Sequence, residues 1–518
     1  MRVIVCELVE EAVVEGVIKA ARDGAWDVRY WTAYNFRRPM IEAAFPNAVY
    51  HDTAYATRGL SPTGDDNMPE AVIDASLLRT MAPYESMFMQ MLDRTDRDGS
   101  MYTHRERLRM YQKMLRQWKG VIETHQPDLV VFSITPHAFF DFVLYGLCQH
   151  LDIGTIWFDR TAFPGRMLPT RTYRTGCKEL MDATRKRLGE EGALPELPAY
   201  MEDELAYLRS AGAEATSVSM RKKIVEQRFS TSKRRWQRLW FALKRELGSQ
   251  WGTIRRNGFW RLAPRNYLKM RGRPMEESWM KFPEWALYRL HGMLRRERLR
   301  AEYEDFAAEP ELGEPYVIVA LQNQPERMTC PLAEGYEHQH VFVRLLSKVL
   351  PQGWRIYVKE HPWQLSGASR GQLSRWPGYY RELASIPNVT LVPIAYPGYK
   401  LLDAAKGVAT LTGSMGFQAV VRGKPVLVGG FPWYRNMEGV YHGDTEAGCR
   451  AYFEAIERGD GIDQRRFLAF LLAIDEVACR CWMEKAREDN GGVSADECRD
   501  NVAAALVREG KRIAGRTD

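Results

Sequence analysis

Two stretches of this chain place chemically active side chains where a strand should end. In Trp354-Arg-Ile-Tyr-Val-Lys-Glu-His-Pro-Trp363, a β-prone run gives way to Lys359, Glu360 and His361. Fifty residues on, Gly407-Val-Ala-Thr-Leu-Thr-Gly-Ser-Met-Gly416 ends in Thr412, Gly413 and Ser414 before a helix expected over 415–422. Open parallel sheets bind ligands at the carboxyl ends of their strands, where helix N-termini also point. Lys359 and His361 supply a cation and a hydrogen-bond donor, and 412–414 supply amides and hydroxyls. Together these groups suit a phosphate and a sugar. Ser414 could equally do no more than cap its helix, a contribution of about 1 kcal/mol.

These groups need a scaffold of alternating strands and helices. Strands are expected at 3–8, 27–31, 127–133 and 154–158, with a possible further strand at 48–51. Helices are expected at 13–22, 70–94, 104–125 and 139–150, which makes residues 1–165 one parallel, Rossmann-like unit. A second unit, 311–444, repeats the alternation with strands at 316–321, 354–358, 389–392, 407–411 and 424–430. Residues 445–518 read as helices that brace the domains. Between the two units, 166–310 reads as a helical insertion or linker. The fold class expected is therefore α/β: two Rossmann-like domains, a basic helical insertion and C-terminal helices.

The insertion concentrates charge. The 518-residue chain carries a formal net charge of +7. Residues 221–300 alone hold 23 Lys and Arg against 6 Asp and Glu, so the rest of the chain is net negative. Phe229, Trp236, Trp240, Leu243 and Leu247 share one helical face, and Arg and Lys occupy much of the remainder. That pattern suits a helix lying on an anionic membrane surface, where each charge contributes about 1 kcal/mol. The alternative is packing against the first domain, and nucleic acid is the least favoured partner. No apolar run reaches the roughly 18–20 residues needed to span a bilayer. The first residues, Met1-Arg-Val-Ile-Val-Cys-Glu-Leu8, read as a strand and not as a signal peptide. The eight Cys show no C-x-x-C pair, so reduced thiols and no structural metal are expected.

Four segments occur in order in the second unit: Gln322-Asn-Gln-Pro-Glu-Arg-Met-Thr329, Tyr357-Val-Lys-Glu-His-Pro362, Pro387-Asn-Val-Thr-Leu-Val-Pro393, and Thr410-Leu-Thr-Gly-Ser-Met-Gly416 with Arg422-Gly-Lys-Pro-Val426. This series resembles the bacterial capsular polysaccharide biosynthesis proteins, whose relatives include retaining β-Kdo transferases. The close match covers about 315–432, with weaker echoes at Thr135-Pro-His137 through Asp141 and at 157–160. The resemblance implies a GT-B fold, with the nucleotide sugar held by the second domain and the acceptor by the first.

It also assigns roles. Lys359, His361, Thr412, Gly413, Ser414, Gln418, Gln322, Gln324 and Glu326 become the expected donor-binding set, with Arg327 an alternative phosphate partner to Glu326. Gln418 stands where relatives carry Glu; a neutral amide binds a diol about half as strongly and cannot act as a base. Double displacement would need a carboxylate at the anomeric carbon and a base for the acceptor hydroxyl. Asp159 and His137 are the candidates, although Asp159-Arg160 could also be a salt-bridged loop. No cofactor beyond the nucleotide-sugar donor, with CMP-Kdo foremost, and no metal is expected.

The function expected is a glycosyltransferase of surface polysaccharide, cytoplasmic and peripheral on the inner face of the inner membrane. It would act on a lipid-linked or oligosaccharide acceptor. A sugar-nucleotide epimerase on the same architecture and a non-catalytic polysaccharide-binding or assembly protein are the alternatives.

Overall fold

The computed structural model describes residues 1–65, 67–94, 102–210, 255, 282–365, 371, 374–484 and 491–515. The amphipathic face expected over Phe229–Leu247, and most of the basic segment 221–300, lie outside the described residues.

Thirteen described strands follow the expected alternation. The first six are β1 (Arg2–Cys6), β2 (Asp27–Ala33), β3 (Val49–Asp52), β4 (Leu129–Phe132), β5 (Gly154–Arg160) and β6 (Arg166–Thr170). Next come β7 (Tyr316–Ala320), β8 (Arg355–Lys359), β9 (Val389–Val392), β10 (Gly407–Thr410), β11 (Val426–Val428), β12 (Val440–His442) and β13 (Cys479–Arg480). They form two sheets, ordered β13-β6-β5-β4-β1-β2-β3 and β12-β11-β10-β7-β8-β9. The second is parallel throughout. In the first, β3 through β5 are parallel, and β6 and β13 add antiparallel to one edge. Both sheets grow outward from a central first strand in opposite directions, the doubly wound order of a Rossmann domain. The protein is α/β, with two Rossmann-like domains.

The composition of the strands explains their place. Leu129, Val130, Val131 and Phe132 in β4, and Val426, Leu427 and Val428 in β11, are buried throughout, as strands covered on both faces must be. In the first sheet, one face packs on helices Ala75–Met91, His104–His125 and Phe140–His150 through Met81, Phe88, Trp118 and Tyr145. The other packs on Glu11–Asp23 and Ala495–Ala514 through Val14, Val17, Val502 and Leu506. Gly16 lets those two helices touch: a Cβ there would lie 2.8 Å from the Arg499 carbonyl.

The last hundred residues are not purely helical. After helices Glu446–Glu457 and Gln464–Val477, β13 joins the first sheet before the final helix covers it. Glu509 on that helix is 2 % exposed and takes a bidentate ion pair from Arg171, just past β6, at 2.8 and 2.6 Å. All eight cysteines are buried, and none forms a disulfide. Among the described residues, no helix is long and apolar enough to cross a membrane.

Glu509→Ala should leave Arg171 short of its buried partner and cost roughly 3 kcal/mol, the low end for breaking such a pair because Glu179 remains. A lowered unfolding midpoint with faster amide exchange across 495–514 is the expected result. Unchanged exchange would show that the final helix docks without this ion pair.

Candidate active site between the two sheets

Each sheet has a switch point, where consecutive strands part to either side of the central one, and ligands bind at such points. In the second sheet it lies between β7 and β10, where Gln322–Gln324 meets Thr412–Ser414. In the first it lies between β1 and β4, where Glu7 meets the loop Thr135–Asp141. Arg327, past β7, lies within electrostatic reach of Asp159, Arg160 and Glu484 of the first domain's side and of Glu326. The carboxyl ends of the two sheets therefore face each other.

On the second domain's side, the loops are fixed by a fully buried ion pair. Glu360 and Arg375 are both 0 % exposed, with Arg375 Nε donating to Glu360 Oε2 at 2.9 Å. Tyr380 donates its hydroxyl to the same oxygen at 2.7 Å, and the His361 amide donates to Glu360 Oε1 at 2.8 Å. Arg375 also donates to Gln324 Oε1 at 2.5 Å and to the Gln322 carbonyl at 3.3 Å.

This arrangement fixes where the expected donor-binding side chains lie. Gln322 spends its amide group on Thr410 Oγ1 and the Ala320 carbonyl, and Gln324 is held by Arg375, Gln339 and the Glu337 carbonyl. Both are buried parts of the scaffold and not lining residues. Thr412 donates inward to the Met328 carbonyl at 2.6 Å. The Lys359 ammonium donates to the carbonyls of Pro393 and Ile394, so it ties β8 to the loop after β9. Gln418 is buried within the helix Ser414–Val421.

His361 remains at the surface of the site. Its Nδ1 accepts the Trp363 amide at 3.1 Å, which leaves Nε2 to carry the proton as a donor. Burial holds its pKa below the usual histidine value against the pull of Glu326 and Glu360, so the ring is neutral near pH 7. Glu326 is exposed and within electrostatic reach of His361, Arg327 and Arg94. Ser414 does not cap its helix: Gly413 is the N-cap and makes no side-chain bond, and Ser414 is exposed. A side chain at 413 would collide with Gln322 Nε2, 2.6 Å from the position of a Cβ. The helix thus presents its first amides without a side-chain cap.

On the first domain's side, Thr135 pins both expected catalytic residues. Its hydroxyl donates to Asp159 Oδ1 at 2.7 Å, and its carbonyl takes a hydrogen bond from His137 Nδ1 at 2.9 Å. A carbonyl can only accept, so Nδ1 bears the proton, and the neutral ring has its lone pair on Nε2. The two histidines hold opposite tautomers: His361 is set to donate and His137 to accept. Trp157 Nε1 donates to the other oxygen of Asp159 at 2.9 Å. Asp159 lies within β5, which runs to Arg160, and Arg160 pairs with Glu484 at 3.0 Å instead of with Asp159.

The structure adds two residues that strand patterning passed over. Glu7 directly follows β1 with φ 61°, and Phe139 precedes its helix with φ 75°, both in the left-handed region that bulky residues avoid. Such strain collects at functional sites. Burial pushes the Glu7 carboxyl well above the carboxylate range, with Asp141 and Glu484 adding to the effect. Asp141 accepts the amides of His137 at 3.0 Å and Ala138 at 2.6 Å; burial outweighs these bonds and raises it to about 6. Among the described residues, no group of three or more His, Cys, Asp or Glu side chains could hold a metal ion.

Residues 275–450, which contain β7 through β12, match the family model described as capsule polysaccharide biosynthesis protein. The chain carries a domain of that family. No curated protein matches the chain. Solved structures that resemble it over most of its length include the UDP-GlcNAc 2-epimerase of Methanocaldococcus jannaschii (11% identity, 98% of this chain and 100% of that one, TM-score 0.23). The calicheamicin glycosyltransferase CalG4 is another (14%, 99% and 98%, TM-score 0.22). A third is the β-Kdo 2,4 transferase KpsC of Thermosulfurimonas dismutans (13%, 67% and 78%, TM-score 0.28). Overlaps this loose carry no weight, and the fold assignment rests on strand order. The capsule-synthesis domain holds His361 and the uncapped helix, while Asp159, His137 and Glu7 lie outside the matched residues.

A carboxyl group with a raised pKa keeps its proton in the folded chain and loses it in the unfolded one. Asp141 therefore favours folding below pH 4, and that contribution falls away as pH rises through about 6. Asp141→Asn should flatten this part of the stability profile, so its midpoint relative to wild type should rise between pH 4 and 6.5. A constant offset across that range would contradict the assigned shift.

Proposed function

We propose that the protein is a glycosyltransferase of capsular polysaccharide synthesis, moving a sugar from a nucleotide donor to a glycan acceptor. The observation that carries this reading is the pairing of Asp159 and His137 on Thr135, opposite a domain that offers the His361 donor and an uncapped helix. The nucleotide phosphate would lie against the first helix amides, at Ser414 and Met415, and His361 Nε2, which stabilise the negative charge that grows as the nucleotide leaves. Arg327, within electrostatic reach of Glu326 and Asp159, adds a cation to the site, and its Nη1 has no hydrogen-bond partner.

Asp159 would attack the anomeric carbon as the bond to phosphate breaks, forming a glycosyl ester with release of the nucleotide. The acceptor hydroxyl would then displace Asp159, its proton passing to His137 Nε2, and the carboxylate would be regenerated. Glu7, protonated by its surroundings, would donate a hydrogen bond to a sugar oxygen. The donor would be CMP-Kdo, which the resemblance of the motifs over 315–432 implies. The basic segment 221–300 would hold the enzyme on an anionic inner-membrane surface that presents a lipid-linked acceptor.

Thermal shift with CMP, UDP, GDP and TDP tests the donor side. A nucleotide at about a hundred times its dissociation constant adds roughly 2.7 kcal/mol to stability. Selective stabilisation by CMP, lost in His361→Ala, is the expected result. Selective stabilisation by UDP would keep the transferase and remove Kdo. No response to any of the four would overturn the reading in favour of a binding or assembly protein.

A further inference from the structure

The residues just beyond β2 carry an aromatic pair that nothing in the reaction above uses. Tyr34 and Phe36 are 37 % and 63 % exposed, and their rings stack at 6.0 Å with 8° between planes. The step they form is held in place. Phe36 lies in the single turn Asn35–Arg37, and the Arg37 guanidinium sits 5.2 Å from its ring centroid. Arg37 is itself anchored by the Val9 carbonyl at 2.8 Å and by Glu11 at 2.7 Å. A stacked pair held in one geometry offers a flat apolar platform to a ligand.

Their place in the sheet says what. β2 lies between β1 and β3: the Glu7 amide donates to the Thr32 carbonyl at 2.9 Å, and Ala33 is in register with Asp52. Tyr34, the next residue, therefore emerges between Glu7 and Asp52 at the rim of the site. Glu484 and Asp141 are also within its electrostatic reach. The two arginines beside the step are already paired, Arg37 with Glu11 and Arg38 with Glu42.

We propose that the Tyr34–Phe36 step is an acceptor subsite that stacks one neutral pyranose ring of the glycan. The inference rests on the glycosyltransferase reading and extends it to the acceptor. A pyranose presents an apolar C–H face and a rim of hydroxyls. The face matches an aromatic ring, and the rim matches the carboxylates of Asp52 and Glu484, which accept hydrogen bonds. These two carboxylates repel a sugar acid, so a uronate or Kdo residue is disfavoured at this position. Burial and these acids push the Tyr34 phenol up to about 12, which keeps it a neutral donor.

Saturation-transfer NMR on the full chain, with methyl β-D-glucopyranoside and methyl β-D-glucuronide as probes, tests the proposal. The glucoside should receive saturation on its axial C–H face. Phe36→Ala should bind it roughly three- to tenfold more weakly, Phe36→Trp should restore binding, and the glucuronide should bind more weakly than the glucoside. No glucoside binding, equal binding by Phe36→Ala, or preference for the glucuronide would overturn the subsite. So would a wild-type dimer that Phe36→Ala dissolves, which would make the step a contact between copies. Nucleotide thermal shifts on the same samples separate the two levels. A nucleotide response without a sugar response overturns the subsite alone, whereas no nucleotide response overturns the transferase reading beneath it.

Discussion

The Glu360–Arg375 ion pair is the constraint from which the donor side of the site follows. Two charges without water are stable only if each is met by its partner and by further hydrogen bonds; losing one partner typically costs 3–5 kcal/mol. Tyr380, Gln324 and the amide of His361 complete the set. Each comes from a different segment, so satisfying the pair also fixes the loop after β7, the turn after β8 and the helix at 379–384 relative to one another. The His361 ring then has little choice of direction, because its amide is bound to Glu360 and its Nδ1 to Trp363.

The acceptor side is built on a different principle. There burial is only partly offset by partners. It raises both the Glu7 and the Asp141 carboxyls, Asp141 and Glu484 add to the effect on Glu7, and the left-handed backbone at Glu7 and Phe139 adds local strain. Arg94 reaches from the end of the first domain's second helical layer to the carbonyls of His137 and Cys330, which ties the strained loop to the second domain. One wall of the site is thus tied together by hydrogen bonds around a buried ion pair, and the other stores protons and strain. That division suits a fixed leaving-group pocket facing a wall that must trade protons with an acceptor.

Much of the fold was legible because the strands that matter are short β-prone runs bounded by Gly, Pro or polar clusters, as at Leu129–Phe132 and Gly407–Thr410. Three others were not: β6 contains Pro169, β12 has three residues and β13 two, so neither composition nor length marks them as strands. The site was half legible. His361, His137 and Asp159 could be named because residues of these types stand at or just beyond strand ends. Gln322, Gln324 and Thr412 look the same in sequence but turn inward, since a polar run carries no sign of whether its partners are solvent or buried loops. Arg375 lies in a Ser-Arg-Trp-Pro stretch without periodicity, and Glu7 reads as the end of a strand. Only the packed structure shows that one is fully buried and the other strained.

The most direct measurement is sugar transfer itself. CMP-Kdo and a panel of UDP-hexoses would be supplied with a capsule-glycan acceptor fraction, and the product mass read for wild type and for Asp159→Asn. Wild type should extend the acceptor by one sugar, and Asp159→Asn should lose at least a thousandfold in rate (about 4 kcal/mol) while binding nucleotide as before. Full activity in Asp159→Asn, or conversion of a nucleotide sugar to its epimer with no acceptor present, would contradict the account.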